Sequence, residues 1–116
     1  MDIYFRHDHK CFNFRVGGII KIGDKILLSK FSEGFTLPGG RVRFGETTEQ
    51  AIKRELKEQL NLKIEIKQLV SINENFFDYS DDEYHEVLFI YLCELDRSNI
   101  KKSPLRLGFF YSRAFS

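Results

Sequence analysis

The sequence predicts an α/β fold in which a mixed β-sheet is covered by helix, and three observations carry this prediction. Apolar and polar residues alternate over 62–70, which is typical of a half-buried strand. The segment 48–60 has the spacing of an amphipathic helix. The run EVLFIYLCEL, residues 86–95, is almost continuously apolar, as in the central strand of a sheet. Strands, one strong helix and further strands follow one another along the chain.

Length and composition indicate a single folded domain, 1–116. The chain has 116 residues, of which 42% are hydrophobic and 30% charged, and this balance argues against disorder. Lys and Arg number 18 against 17 Asp and Glu, so neither a nucleic acid nor a membrane surface is expected as the main partner. No apolar run approaches bilayer length, and the N-terminus lacks a signal-peptide pattern. We therefore expect a cytoplasmic protein in which Cys11 and Cys93 fill the core.

The elements before the helix are predicted from alternation and turn residues. The stretch 11–21 reads as a strand and 25–31 as its partner. The stretch 35–40 is expected to run into a loop that begins at Pro38, because Pro38 disfavours helix at Leu37 and cannot donate a hydrogen bond to a sheet. After the helix, the strand that begins at 62–70 is expected to run on toward residue 77. Turns are indicated at 23–24, 32–34 and 80–82.

The helix has recognisable ends and an apolar stripe. Thr47 followed by Gln50 forms a capping box at its start, and Asn61 can adopt the left-handed conformation at its end. At about 100° per residue, the apolar residues of the helix fall on one side. The stripe that we expect to face the core consists of Ile52, Leu56 and Leu60.

The other side of the helix is acidic. Glu55 and Glu58 flank Ala51 on the helical wheel, Arg54 lies beside Glu58, and the small alanine leaves room for a ligand to approach. A solvated charged face would look the same. The preceding Leu-Pro-Gly-Gly can turn tightly and expose carbonyl groups, and Glu46 brings a third carboxylate to the start of the helix. Carboxylate and carbonyl oxygens are ligands that Mg²⁺ prefers, so a magnesium site is predicted.

This stretch resembles the Nudix box, Gly-x5-Glu-x7-Arg-Glu-apolar-x-Glu-Glu-x-Gly-apolar, over residues 40–62. The corresponding positions are Gly40, Glu46, Arg54, Glu55, Leu56, Glu58, Gln59, Asn61 and Leu62. The resemblance implies a Nudix-type α/β/α sandwich with a mixed sheet, in which the box forms a loop–helix–loop. It also implies Mg²⁺- or Mn²⁺-dependent hydrolysis of a nucleoside diphosphate linked to another group.

The resemblance also implies roles for individual residues. Glu55 and Glu58 would be metal ligands, and Glu55 would also accept a proton from the attacking water. The carbonyl of Gly39 would add a further ligand. Glu46 would act as a ligand or as a partner of Arg54, whose guanidinium would hold the carboxylates by bidentate hydrogen bonds.

Two residues depart from the box. Asn61 in place of Gly should have little effect, because this position only needs a residue that can adopt the left-handed backbone conformation. Gln59 stands where the family usually has a metal-ligating Glu, so we expect weaker metal binding, reduced activity or a preference for Mn²⁺. An alternative is that this chain has lost catalysis and binds a nucleotide without cleaving it.

Further site residues are predicted outside the helix. Glu86 is our candidate for an additional metal ligand. Arg41 and Arg43 alternate beside the glycines and could contact phosphates, although a solvated strand face would look the same. Candidates for the substrate side are Phe77, which could stack on a base as could Phe76, and Tyr79, whose place resembles a tyrosine of diadenosine polyphosphate hydrolases.

Three weaker patterns are noted. His85 is more typical of a structural or substrate-side residue than of a base. His7, His9 and Cys11 could face one way on a strand and bind a metal, but a fourth ligand is not apparent. The two glycines at 39–40 are not a P-loop, because no Gly-Lys-Ser/Thr follows.

The tail 101–116 is atypical of the family and has no amphipathic helical pattern. Either the chain is shortened, or its last residues pair with something. Phe109, Phe110, Tyr111 and Phe115 would form an exposed apolar end, so a homodimer or an edge-strand contact is predicted. Beyond the nucleotide hydrolase and the nucleotide-binding module, an RNA 5′-end pyrophosphohydrolase is a third possibility, which the neutral charge balance disfavours.

Overall fold

A computed structural model describes residues 1–31, 34–61 and 63–95, together with the strand 109–113; of residues 30, 31 and 109–113 only the backbone is described. The strands of the described residues are β1 (Tyr4–His7), β2 (Lys10–Ile22), β3 (Lys25–Phe31), β4 (Gly34–Thr36), β5 (Gly39–Arg41), β6 (Glu65–Tyr79), β7 (Asp82–Glu94) and β8 (Phe109–Arg113). They form one mixed sheet, with the order β4-β3-β2-β7-β6 along its main path. The single helix of the described residues, α1, spans Thr48–Leu60.

Strand β2 organises the sheet because it pairs with four other strands. Along one side it pairs in turn with β1, β5 and β3, all antiparallel. Along the other side it pairs with β7 in parallel, from Lys10 opposite Glu83 to Lys21 opposite Glu94. Strand β7 then forms a long antiparallel pair with β6. The predicted mixed sheet and the central position of the apolar 86–95 run are thereby confirmed.

Several predicted boundaries need correction. The stretch that was expected to run into a loop contains two short strands, because β4, before Pro38, pairs with β3, and β5, after Pro38, pairs with β2. Strand β1 was not predicted, and β6 extends to Tyr79. The turn between β6 and β7 consists of Ser80 and Asp81 alone, which both have positive φ. Asp82, which was expected in this turn, is the first residue of β7. Residues 32 and 33 of a predicted turn, and Leu62, lie outside the described residues.

Helix α1 begins and ends where the sequence predicts. The Thr47 hydroxyl accepts a hydrogen bond from the Gln50 backbone N–H, and the Gln50 side chain accepts one from the Thr47 N–H. Asn61 closes the helix in the left-handed conformation with φ 54°. No helix in the described parts of the chain has the length and apolar character needed to cross a bilayer.

The core lies between α1 and one face of the sheet. Ile52, Leu56 and Leu60 are buried there, which confirms the predicted stripe. They pack with residues of the facing strands that include Val16, Ile20 and Tyr91. Ala51 is also completely buried in this core, so the expected space for a ligand above it is filled by protein. No helix among the described residues covers the opposite face of the sheet.

Part of the tail pairs within the chain itself. Strand β8 runs antiparallel to β3, with Phe109 opposite Ser29 and Arg113 opposite Lys25. This segment therefore has a pairing partner without a second copy of the chain. Phe115, and the side chains on which the predicted apolar end depends, lie outside the described residues, and the homodimer stays a prediction.

Both cysteines are free and buried, as core fillers should be. Cys11 is in β2 and Cys93 in β7, where the Cys93 Sγ lies 3.8 Å from the carbonyl oxygen of Tyr91. Burial raises the pKa of the Cys93 thiol to about 11, because the thiolate would lose its hydration.

Removal of the capping box should destabilise the fold measurably. We expect Thr47→Ala to lower the free energy of unfolding by about 1 kcal/mol, because the first turn of α1 loses a partner for the Gln50 N–H. Urea denaturation followed by circular dichroism measures this change. Lys53→Ala, an exposed substitution in the same helix, is the control and should change stability by less than about 0.5 kcal/mol. Equal effects of the two substitutions would contradict the role of the cap.

Candidate active site

The site is built where β5 passes beneath the acidic side of α1. Gly40 pairs with Val16 of β2 and lies directly under the carboxylate of Glu55. A Cβ atom at position 40 would lie 2.6 Å from Oε2 of Glu55, which is far inside van der Waals contact. A side chain at position 39 would collide with the backbone of Val16. The two glycines therefore allow the helix and the strand to approach closely enough for carboxylates and backbone carbonyls to meet.

Arg54 gathers three carboxylates. Its Nε donates to Oε2 of Glu46 at 2.9 Å and its second terminal nitrogen to Oε1 of Glu46 at 2.6 Å, a bidentate pair. The other terminal nitrogen donates to Glu55 Oε1 at 2.8 Å and lies 3.4 Å from Glu58 Oε2. The guanidinium also donates to the carbonyl of Arg41 at 3.0 Å, which ties α1 to β5. All five N–H bonds of the guanidinium fork can be used in this arrangement.

Each member of the Arg54–Glu46 pair favours the charged form of the other, and this shifts both pKa values. Hydrogen bonds from Arg54, and one from the Arg43 backbone N–H, hold the pKa of Glu46 below its ordinary value of 4.5. The pKa of Arg54 is raised, chiefly because of its hydrogen bonds to Glu46. Both side chains are largely buried, so screening by solvent is limited. Glu46 is therefore ionised at neutral pH, as a partner of Arg54.

Gln59 lies on the last turn of α1 and faces β5. Its Nε2 donates to the Gly39 carbonyl oxygen at 2.8 Å and to Glu55 Oε2 at 3.1 Å. Its Oε1 is buried and has no hydrogen-bond partner among the described residues. An unpartnered buried acceptor costs about 1–3 kcal/mol, which makes this amide the least satisfied polar group of the site.

The residues fit a hard divalent cation. Carboxylate oxygens of Glu55 and Glu58, the Gly39 carbonyl and the orphaned Gln59 Oε1 are all oxygen donors close to one glycine bend. In this structure the carboxylates are bound to Arg54 and do not point toward a common position that a cation could occupy. In ranges 1–31, 34–61 and 63–95, no three His, Cys, Asp or Glu side chains come together as a metal site. Cation binding would therefore require Glu55 and Gln59 to reorient.

A polar depression of about 360 Å³ extends from Glu55 around the edge of β5. Arg43 approaches Glu58 at 3.6 Å. Arg41 stacks on Tyr4, with its guanidinium carbon 3.9 Å from the ring centroid. The other residues that line the depression are Asp2, Asn13, Arg15 and Gly40. Arg43 thus lies beside a carboxylate of α1, whereas Arg41 lines the depression from the face of the sheet that carries Asn13.

Sequence reasoning missed Asn13 and Arg15. Asn13 is buried in β2 and accepts a hydrogen bond from Arg41 Nε at 3.0 Å. The available signal was the alternation of polar Asn13 and Arg15 with Phe12 and Phe14 in a strand, which indicates a polar patch on one face of the sheet. Asp2 gave no comparable signal.

Glu86 is not brought to the carboxylates of the helix. It pairs in register with Asn13, and side chains of Asn13 and Val16 point to opposite faces of the sheet because strand side chains alternate. Val16 packs under α1, so Glu86 lies on the far face, where it is buried and its Oε1 is 4.0 Å from an Arg15 nitrogen. As a metal ligand Glu86 stays a prediction that this arrangement does not favour.

The aromatic candidates lie at the far end of the sheet. The rings of Phe77 and Tyr84 are stacked, with their centroids 5.1 Å apart. Tyr84 pairs with Cys11 of β2, and at the usual rise of a strand Cys11 lies ~17 Å along β2 from Val16. Tyr79 is exposed beside the β6–β7 turn. The structure therefore does not bring Phe77 or Tyr79 next to the carboxylates, and contact with the reacting phosphates is not expected of them.

His85 is part of an aromatic row and not of the carboxylate site. Its ring lies between Phe12 and Phe76, at centroid distances of 5.7 and 4.3 Å, and its Nε2 is 3.3 Å from Glu74. The alternative metal site at His7, His9 and Cys11 is wrong. These residues lie on β1, in the following turn and on β2, and the described ranges contain no such ligand group.

Glycine at position 40 should be required for the geometry of the site more than for the fold. We expect Gly40→Ala to displace the Glu55 carboxylate from Arg54 and Gln59 and to weaken any metal-dependent response by about 10- to 100-fold. The loss of stability should be smaller than in Arg54→Ala, because the flexible Glu55 side chain can move aside and Arg54 keeps Glu46. Thermal unfolding with and without Mn²⁺ measures both effects. Gly17→Ala is the matched control, since a Cβ there meets only ordinary contacts of 3.7 Å and longer. An unchanged response of Gly40→Ala to Mn²⁺ would contradict this.

A glycine bend lies beneath an acidic helix on a mixed sheet, and one arginine binds three carboxylates there, which gives a set of oxygen ligands that fits a divalent cation. The chain belongs to the NUDIX domain family, whose model matches residues 13–105. The resemblance noticed in the sequence is thereby confirmed.

Two curated relatives are similar to this chain. An "ADP-ribose pyrophosphatase" of Methanocaldococcus jannaschii is 34% identical over 91 residues, which cover 74% of this chain and 53% of that protein. An "8-oxo-dGTP diphosphatase" of Haemophilus influenzae is 33% identical over 67 residues, covering 58% of this chain and 44% of that protein. The chain spans about half the length of the curated relatives it matches.

Solved structures agree on the fold. A MutT NUDIX hydrolase from Burkholderia pseudomallei matches with a TM-score of 0.63 and 28% identity, over 85% of this chain and 82% of that chain. The predicted Nudix-type architecture, with a mixed sheet and the box as loop–helix–loop, is confirmed by this similarity.

Proposed function

We propose that this chain is a divalent-cation-dependent pyrophosphohydrolase that cleaves the diphosphate linkage of a nucleoside diphosphate derivative. The observation that carries the proposal is the gathering of Glu46, Glu55 and Glu58 by Arg54 beside the Gly39 carbonyl. Membership of the NUDIX family supports it. So do the names of the curated relatives, which describe hydrolysis of ADP-ribose and of a nucleoside triphosphate.

Each residue of the site has a proposed task. Glu55, Glu58 and the Gly39 carbonyl would hold Mg²⁺ or Mn²⁺, with Gln59 Oε1 as a weaker fourth donor. The cation supplies Lewis-acid polarisation of the phosphate and neutralises charge on the leaving group. Arg54 fixes the carboxylates in one orientation, which Lys could not do with a single ammonium group. Glu55 accepts the proton of the attacking water, and this requires one of its oxygens to exchange its present partner.

The polyanionic part of the substrate would occupy the depression beside β5. Arg43 is close enough to Glu58 to bridge a phosphate and the metal-binding carboxylates. Arg41 is stacked on Tyr4 and bonded to Asn13, so its guanidinium is oriented before a ligand arrives. Binding and positioning, more than covalent chemistry, would then account for catalysis.

A second candidate function is nucleotide binding without efficient cleavage. The observation that favours it is Gln59, whose amide replaces a negative charge at the site and has its nitrogen turned toward the proposed ligands. Weaker cation binding would leave the arginines able to bind phosphates while hydrolysis becomes slow.

A substrate panel separates the two functions. The purified protein is incubated with ADP-ribose, a UDP-sugar, diadenosine tetraphosphate and nucleoside triphosphates, in Mg²⁺, in Mn²⁺ and in EDTA. Chromatography of the products detects nucleoside monophosphates, and a colorimetric assay detects phosphate. Cation-dependent release from at least one compound is expected. Thermal stabilisation by a nucleotide with no product in either cation would support the binding module and defeat the hydrolase.

A further inference from the structure

The amide of Gln59 spans two oxygens that the proposed cation would need. Its nitrogen has two N–H bonds, and one donates to the Gly39 carbonyl while the other donates to Glu55 Oε2. Both neighbours are acceptors only, so the nitrogen end of the amide is the end that must face them. This contact joins β5 to α1 at the centre of the site.

Within the described residues, the oxygen of the same amide lacks a hydrogen-bond donor. Oε1 is buried and has no hydrogen-bond partner in the described parts of the chain. Turning the amide over would aim Oε1 at the space now filled by the nitrogen, next to two other oxygens. Three acceptors facing each other repel, unless a cation lies between them. The observed arrangement of the side chain therefore suits a site without a cation, and the turned arrangement would need a cation between the oxygens.

We infer that Gln59 is an internal substitute for the cation: its amide nitrogen holds the Gly39 carbonyl and the Glu55 carboxylate together until a divalent ion displaces it and the amide turns over. In the terms of the proposed function, on which this inference rests, Gln59 is a positioning residue that keeps the site assembled without metal and sets a higher cation concentration for loading. A ligand can shift such an equilibrium only by its difference in affinity for the two arrangements.

A carboxylate at this position should behave in the opposite way. In Gln59→Glu, without a cation, the new oxygens would face the Gly39 carbonyl and Glu55 with no donor between them. Repulsion should then loosen the contact between β5 and the end of α1. With a cation the added charge becomes a ligand, so both stability and affinity should rise. The sign of the stability change is therefore expected to depend on the metal.

Thermal unfolding of three proteins tests this. Wild type, Gln59→Glu and Gln59→Leu are compared in EDTA and in saturating Mn²⁺, and Mn²⁺ dissociation constants are measured by electron paramagnetic resonance. In EDTA, Gln59→Glu should melt about 4–8 °C below wild type. In Mn²⁺ this order should reverse, with binding about tenfold tighter. Gln59→Leu should melt below wild type in EDTA and bind Mn²⁺ more weakly. Glu49→Gln, an exposed substitution in the same helix, should match wild type throughout.

The amide can also be observed directly in the wild-type protein. Its side-chain NH₂ signals, identified by their loss in Gln59→Glu, should move on titration with Mg²⁺ and should exchange slowly with solvent only in EDTA. This measurement decides the matter if Gln59→Glu fails to fold. Equal melting of wild type and Gln59→Glu in EDTA, or NH₂ signals unaffected by Mg²⁺, would overturn the inference. Neither readout needs turnover, so a protein that shows the amide exchange but hydrolyses nothing would defeat the proposed hydrolase alone.

Discussion

Glu55→Gln is expected to lower hydrolysis of any substrate found in the panel by about 10²–10⁴-fold, the usual loss when a general base is removed. The substitution removes the charge that faces Arg54 and Gln59 while it keeps the size of the side chain. Proton acceptance from water and attraction of the cation would both be lost. Initial rates in Mg²⁺ and Mn²⁺ give the measurement.

Two controls make this result specific to the site. Glu49→Gln removes an identical charge from the exposed first turn of α1 and should leave the rate unchanged. Nucleotide binding by Glu55→Gln, measured by calorimetry in EDTA, should persist, because the proposed phosphate contacts are made by Arg41 and Arg43. Turnover by Glu55→Gln close to that of wild type would remove Glu55 from the proposed chemistry.

Arg54→Ala is expected to lower the free energy of unfolding at pH 7 by about 3 kcal/mol, because it leaves Glu46 and Glu55 largely buried without their cationic partner. Arg54→Lys should restore the charge but not the bidentate fork, and therefore recover only part of the loss. Denaturant titrations of the three proteins measure these differences. Activity should fall in both variants, since the carboxylates are no longer held in one orientation.

The pH dependence of this loss has a definite sign. Arg54 depresses the pKa of Glu46 in the folded state, so the stabilisation from this pair is fully present above the unfolded-state value near 4.5. It disappears as the pH falls through the lower folded-state pKa and Glu46 becomes protonated. The difference in stability between wild type and Arg54→Ala should therefore shrink below pH 4.5. An equal difference at pH 3 and pH 7 would show that the pair does not depend on the charge of Glu46.

Local patterns predicted the parts of the fold that depend on neighbouring residues. Thr47, Gln50 and Asn61 define the ends of α1, and each acts within one turn of the helix. Strands β4 and β5 could not be predicted in the same way. Their segments are short, contain glycines and are separated by Pro38, and they become strands only because β3 and β2 offer partners. Pairing between distant segments carries no signal in the segment itself.

The same distinction between local and distant interactions separates the site residues that could be predicted from those that could not. The residues of one helix and the glycine bend before it, Gly39 to Gln59, could be assembled from spacing alone. Glu86 could not, because its side is fixed by the register of β7 against β2, a pairing between segments far apart in sequence. The error about Ala51 has a similar origin. A small residue between two glutamates looks open on a helical wheel, but the sheet packs against it and fills the space.

The two buried thiols allow the rate at which the folded protein opens to be measured by chemical labelling. Alkylating reagents attack the thiolate, and Cys93 reaches that form only near pH 11 while it stays enclosed between sheet and helix. Modification at neutral pH must then wait for the chain to expose Cys93. The labelling rate of a Cys11→Ala protein would report how often the sheet separates from α1, and whether a divalent ion lengthens that interval.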